Sequence, residues 1–299
     1  VTADATTVRG TAAGLAALGL LLNAAVWGLS WMPFRSLAEG GLHPLWATAA
    51  IYAIASTALA AVRPATVGAL LATPALAWLA LASGLTNATF NTAVALGDVV
   101  RVVLLFYLMP VWALLLARAM LGEPITRRAC VRIVVGLAGA ALVLHEPGLG
   151  WPLPRNLPEL LAIAGGAAFA LNNVLLRRLA GTDESALTLA MLAGGVVLGA
   201  GVACALALAG AVAWPAAPGV HATATLGLWA ALFLAANMGL QYGAARLPAN
   251  VTSVVMLSEV LVAGLSAWLA GAADLKAQDI AGGLLILAAP WLLPDRSRP

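Results

Sequence analysis

The chain of 299 residues is 63% hydrophobic and only 9% charged, whereas an ordinary soluble domain is about 45–50% apolar and about 25% charged. Its formal net charge of +3 is modest, and its two cysteines, Cys130 and Cys204, lie in or near apolar stretches. Composition therefore excludes a soluble domain, a nucleic-acid-binding surface and a disulfide or CxxC-type metal framework, and leaves an integral membrane protein.

Apolar blocks of roughly 20 residues, enough to cross about 30 Å of hydrocarbon as a helix, predict ten spans: 10–31, 43–62, 70–95, 99–121, 127–145, 158–179, 185–211, 222–245, 248–271 and 277–293. The first is too long, and lacks the small-residue cleavage site, for a removable signal peptide. It carries Trp27, Gly28, Ser30 and Trp31 where leucine would suffice. Gly28 would admit a close backbone or ligand, Ser30 would offer a hydroxyl, and the tryptophans would form apolar walls. Asn23 reads as helix glue. Trp46 in the second span, like Trp151, Trp214 and Trp291, fits an interfacial aromatic belt.

The third span places Asn87 and Asn91 on one face, since residues four apart are neighbours on a helix. The fourth opens with Asp98 and Arg101, read as an interfacial ion pair of little weight. It contains Tyr107, whose hydroxyl needs a partner if buried. Pro110 there removes a helical hydrogen bond and clashes with the Phe106 carbonyl, so a bend is expected. Gly136 with Ala140 gives the fifth span a smooth packing face, as Gly282 with Gly283 does for the tenth. Links such as "HEPGLGWPLPRNLP" and "AWPAAPG" are short and rich in turn formers, so function must lie among the helices.

The sixth span holds Phe169, Asn172 and Asn173, and the eighth holds Asn237 and Gln241, again four apart. Glu259 falls near the middle of the ninth, where an acidic residue costs about 2.5–3.5 kcal/mol on translocon scales and should face the bundle interior or a wet cavity. Its readings are proton coupling, contact with a substrate ammonium, or a plain hydrogen bond to a neighbouring helix.

The two halves of the chain repeat. A shift of 150 positions puts Asn87 on Asn237 and Asn91 on Gln241; a shift of 142 puts Trp27 on Phe169, Ser30 on Asn172 and Trp31 on Asn173. Residues 1–149 and 150–299 thus read as two five-helix repeats of one all-α membrane domain. Five spans per half turn the second half upside down, the inverted repeat of many secondary transporters. Eleven of the fifteen Lys and Arg residues fall on one side of this topology, which puts both termini in the cytoplasm. Arg-rich, Ala- and Gly-rich usage suggests a bacterial genome and an inner membrane.

The "WG" of the first span, the paired five-helix halves, the run "YLMPVWALLLARAMLGEP" and the Gly-rich fifth and tenth spans resemble the drug/metabolite transporter superfamily of the EamA type. Within it the chain looks most like the YddG-type amino-acid exporters. The resemblance covers nearly the whole chain and implies ten helices, alternating access and a central cavity at which Tyr107, three residues before the fourth-helix proline, would lie. The second half departs from the pattern: Val260 stands where the proline usually repeats, and the run lacks a clean Gly-Glu end.

The expected function is export of small zwitterionic metabolites, amino acids including aromatic ones, or of another small metabolite or drug. Trp27, Ser30, Trp31, Asn87, Asn91, Tyr107, Phe169, Asn172, Asn173, Asn237, Gln241 and Glu259 are the candidate substrate-lining residues. A rival intramembrane enzyme would need a nucleophile and base or a metal cluster. His43, His145 and His221 all fall at helix ends, and neither HExxH nor GxSxG occurs. A channel is a third reading, which trans-stimulation would exclude. No Walker motif couples the chain to ATP. The expected partners are a small-molecule substrate, the lipid bilayer and, on one reading of Glu259, protons, with no nucleic acid, metal or cofactor, and a monomer as the expected form.

Overall fold

The computed structural model describes residues 5–145, 153–179, 181–244, 255 and 258–288. Among them 82% are helical, with no strand. The helices in order are α1 (Ala5–Leu29), α2 (Trp31–Glu39), α3 (Pro44–Val62), α4 (Ala65–Ala72), α5 (Leu76–Leu96), α6 (Val99–Phe106) and α7 (Met109–Leu121). They continue with α8 (Arg127–Leu144), α9 (Leu157–Arg178), α10 (Glu184–Leu208), α11 (Val220–Ala244), α12 (Ser258–Leu269) and α13 (Ala277–Ala288).

Length and apolarity let six of these stretches cross a membrane, or seven if the bent pair α4–α5 counts as one span, while α12, α13 and the apolar part of α8 (Ile133–Leu144) are shorter. The expected third span is altered at its start: α4 and α5 meet at 103°, so α5 begins at Leu76 instead of residue 70. The break follows from "TPA" at 73–75, because Pro74 disfavours helix for Thr73 and cannot donate a bond itself. The first expected span runs on instead of stopping at 31, with Ser30 a single non-helical residue between α1 and α2.

Helix starts follow local chemistry. Asp98 caps α6 by accepting from the Arg101 amide at 2.9 Å, Asn156 caps α9 through the Glu159 amide at 2.9 Å, and Asp183 caps α10 through the Ala186 amide at 2.8 Å. Gly122, in the left-handed region at φ 71°, ends α7.

Lipid tails give no hydrophobic drive between helices, so close backbone packing has to do the work. Glycine supplies it. A Cβ on Gly19 would lie 2.7 Å from the Gly239 carbonyl oxygen, fixing α1 on α11; one on Gly139 would lie 2.6 Å from that of Gly282, fixing α8 on α13. The expected fifth-helix contact thus involves Gly139, with the predicted Ala140 buried beside it. Asn23 donates to the Ala236 carbonyl at 3.0 Å across α1 and α11, a helix-joining role worth about 0.6 kcal/mol on average. Leucines such as Leu18, Leu71 and Leu228 are exposed, as a lipid-facing surface requires.

Two ends of the bundle can be told apart by their contacts. At one, Trp46 on α3 donates to the Ala213 carbonyl and lies 5.9 Å from Trp214, while Arg35 reaches Gly97 and Ala272. At the other, Arg63 meets Ser185, and Arg177 pairs with Glu123. These are called the Arg35 end and the Arg63 end below. The belt candidates Trp151 and Trp291 lie outside the described residues.

Candidate functional site

The site begins with the interruption between α6 and α7. Tyr107 and Leu108 form a turn there, and Pro110 sits in the first turn of α7. The Phe106 carbonyl, which a residue other than proline at 110 would have bonded, faces α9: a Cβ on Gly166 would stand 2.5 Å from its oxygen. Only glycine lets α9 approach this carbonyl. The break aims the Tyr107 hydroxyl at the second half of the chain, where it donates to Glu259 Oε2 on α12 at 3.2 Å. Both residues are buried.

Glu259 is held from the other side by α1. A Cβ on Gly28 would lie 2.8 Å from the Glu259 carbonyl oxygen and 2.9 Å from Val262, so the sequence expectation for Gly28, close backbone approach, is met by α12. Ser30 does not present its hydroxyl freely, since it donates to the Trp27 carbonyl at 2.7 Å. Trp31 is buried and donates through Nε1 to Ser266 at 3.0 Å. It therefore braces α2 on α12.

Aromatic rings link the two halves. Trp27 lies 4.8 Å from Phe233 on α11 and 6.3 Å from Phe90 on α5; Phe90 lies 4.6 Å from Phe106, which lies 5.6 Å from Phe169. Trp27, Phe169 and Tyr107 thus share one apolar cluster, within which Trp27 and Phe169 are half-buried.

The amides of α5 form a second polar group. Asn87 Oδ1 accepts from the Tyr52 hydroxyl at 2.8 Å, and Asn91 Nδ2 donates to Thr48 at 3.1 Å, both across to α3. Asn91 Oδ1 and Asn172 Oδ1 are buried without a hydrogen-bond partner among the described residues, as is the donor Trp112 Nε1 on α7. Such buried orphans are the atoms a bound polar solute or water would satisfy. The pseudo-repeat is only partly kept. Asn237 turns back on its own helix, donating to the Phe233 carbonyl at 2.9 Å, and the Gln241 side chain lies outside the described set. Asn173 is exposed, unlike buried Asn172 beside it, because neighbours on a helix point about 100° apart.

A cavity of about 220 Å³ lies at the Arg35 end, lined by Asp98, Arg101, Asn156, Glu159, Asp274, Lys276 and Asp279 among others. Arg101 was expected to make only a surface pair with Asp98. Here Asp98 caps the Arg101 amide, and the guanidinium binds Glu159 at 2.9 Å, with both side chains about nine-tenths buried, so this pair joins α6 to α9 inside the bundle end. No group of three or more His, Cys, Asp and Glu among the described residues could hold a metal ion.

Sequence reasoning missed Tyr52, Thr48, Glu159 and Trp112. Tyr52 had a signal: the chain has only three tyrosines, and this one stands mid-span. Glu159 had none, because its partner is 58 residues away.

The all-helical, multi-pass architecture and its apolar surface define a polytopic membrane protein. Residues 14–145, a little under half of the chain, match the EamA-like transporter family. Fourteen chains among solved structures match as well. One crystal structure is 20% identical at a TM-score of 0.58, covering 92% of this chain and 94% of its own. This likeness extends the shared fold over both halves. No curated protein matches the chain.

Proposed function

We propose that the chain is a secondary transporter that exports small zwitterionic organic metabolites, amino acids including aromatic ones, by alternating access to a cavity between its two halves. The observation that carries this reading is the Tyr107–Glu259 contact, made where a broken helix of one half meets an acid of the other inside an aromatic cluster. Broken helices and polar groups at a repeat interface are how secondary transporters build a midplane site. Glu259 would meet an ammonium, the free Trp112 Nε1 a carboxylate, and Trp27, Tyr107 and Phe169 an apolar side chain.

The helix pairings support an inverted repeat with ten spans. α1 packs on α11 as α9 packs on α5, and α12 packs on α1 as α7 packs on α9; α3 with α10, and α8 with α13, pair counterparts directly. Among the described residues Arg63, Arg118, Arg127, Arg177 and Arg178 gather toward the Arg63 end, and Arg35, Arg101, Arg155 and Lys276 toward the other. The positive-inside rule then turns the Arg63 end to the cytoplasm of a bacterial inner membrane.

Counterflow tests the proposal. Liposomes carrying the purified protein and preloaded with unlabelled phenylalanine should accumulate labelled phenylalanine, and preloading with a sugar phosphate should not drive it. Equal uptake with and without preloading would indicate a pore and overturn the carrier reading.

A further inference from the structure

Arg35 has no role in the solute site and lies at the opposite extreme from the Arg63 cluster. Its guanidinium donates to the Gly97 carbonyl at 2.6 Å and, more weakly, to the Val94 carbonyl at 3.5 Å and the Ala272 carbonyl at 3.3 Å. Its Cζ also lies 5.3 Å from the centre of the Trp31 ring, which the Trp31–Ser266 bond fixes. Val94 and Gly97 belong to the C-terminal end of α5, whose last carbonyls have no helical partner and carry the negative end of the helix dipole. Ala272 belongs to the link between α12 and α13.

These contacts cross between two groups of helices. α5, α6 and α7 each pack on α9, and α11 and α12 each pack on α1. Arg35, continuous with α1 through α2, holds the end of the first group with one side of its fork and the second with the other. On the same side Trp31, Phe90, Ala93, Val99, Val100, Val102 through Leu108, Ala263 and Ala267 form one buried cluster beneath Arg35. A planar guanidinium with five donors can hold several carbonyls at once, which a lysine ammonium does less rigidly.

We propose that Arg35 is the latch of a gate at its end of the bundle: its release from the Gly97 and Val94 carbonyls lets the two helix groups part and opens the way to the buried cluster. This rests on the transporter reading, in which the described state is closed at the Arg35 end. Release leaves α5 carbonyls at a helix end, where water can replace the guanidinium, so opening need not strand buried polar groups.

The test uses the full chain in lipid nanodiscs, with Cys130 and Cys204 changed to serine and Ala93, buried in the last turns of α5 beneath the latch, changed to cysteine. A membrane-impermeant maleimide should modify Ala93→Cys about tenfold faster when Arg35→Ala is added, and at an intermediate rate with Arg35→Lys. Ala203→Cys, buried on α10 in a separate cluster, should stay as slow as before in both. An unchanged rate at position 93 overturns the latch, and so does an equal rise at both positions, which signals general loosening. If Arg35→Ala does not fold, Arg35→Gln, which keeps two donors without the charge, is read by the same criterion. Labelling needs no solute, so failed counterflow with a positive labelling result would refute the amino-acid carrier and leave the latch standing.

Discussion

Replacing Tyr107 by Phe keeps the ring in its aromatic cluster and deletes only the hydroxyl that donates to Glu259 at 3.2 Å. Replacing Glu259 by Leu removes the acceptor at similar side-chain length. The contact joins α12 to the α6–α7 break with both groups buried, so its strength should lie in the range of hydrogen bonds between membrane helices, about 0.6 kcal/mol on average and about 1.7 at most. A double-mutant cycle on reversible unfolding in mixed micelles should therefore return a coupling of about 0.6–1.7 kcal/mol, or roughly a three- to twentyfold non-additivity in the equilibrium constant. Non-interacting sites add to within about 0.3–0.5 kcal/mol. A coupling below that scatter would refute the contact and with it the observation on which the proposed function stands.

Gly166→Ala should destabilise by about 1–3 kcal/mol, the usual cost of overpacking, because its methyl would sit 2.5 Å from a backbone oxygen that cannot swing aside; an unchanged unfolding midpoint in the same micelles would contradict the crossing. Trp27→Ala should slow counterflow of tryptophan and phenylalanine more than that of alanine, since lost wall area scales at about 25 cal/mol per Å²; equal losses would point to a folding defect. Asn91→Leu removes the orphan Oδ1 together with the bond to Thr48, so it should leave stability within about 1 kcal/mol while raising the KM for counterflow, and an unchanged KM would return Asn91 to helix glue. Glu259→Gln removes the charge proposed to meet the ammonium, so it should raise the KM for counterflow at equal pH; an unchanged KM with a lost response to an imposed pH gradient would instead make the acid a proton-coupling group, and no change in either would leave it a bracing contact.

The sequence made the membrane class and most helix positions legible because each follows from local composition: twenty apolar residues in a row are helical wherever they cross lipid. The start of α5 was misplaced because Thr73 and Pro74 lie within apolar surroundings, and hydropathy averages over them. Among the candidate residues, Tyr107 and Glu259 stood out because a hydroxyl and an acid deep in a span need partners, and the structure makes them each other's. Periodicity could not tell which of two adjacent asparagines faces inward, and so included exposed Asn173 with buried Asn172. Ser30 has a local partner that periodicity does not announce: its hydroxyl donates to a carbonyl three residues back, an alternative open to any helical serine. Arg101 was underrated because nothing local announces Glu159 on another helix.

The missing proline of the second half can now be set against its geometry. In the first half Pro110 frees the Phe106 carbonyl, and Gly166 of α9 packs against it; in the second half Val260 replaces the proline, yet Gly28 of α1 packs against the Glu259 carbonyl in a like manner. The feature common to both crossings is a glycine against a backbone oxygen, with an added Cβ 2.5 Å or 2.8 Å from it. Close approach of the crossing helices is therefore common to both halves, and in the first half the proline accompanies a further feature. That feature is the turn at Tyr107, which aims its hydroxyl across the interface toward Glu259. The contact thus sets the broken helix of one half against a buried acid of the other, and the glycine crossings at Gly166 and Gly28 hold both backbones close enough for it to form.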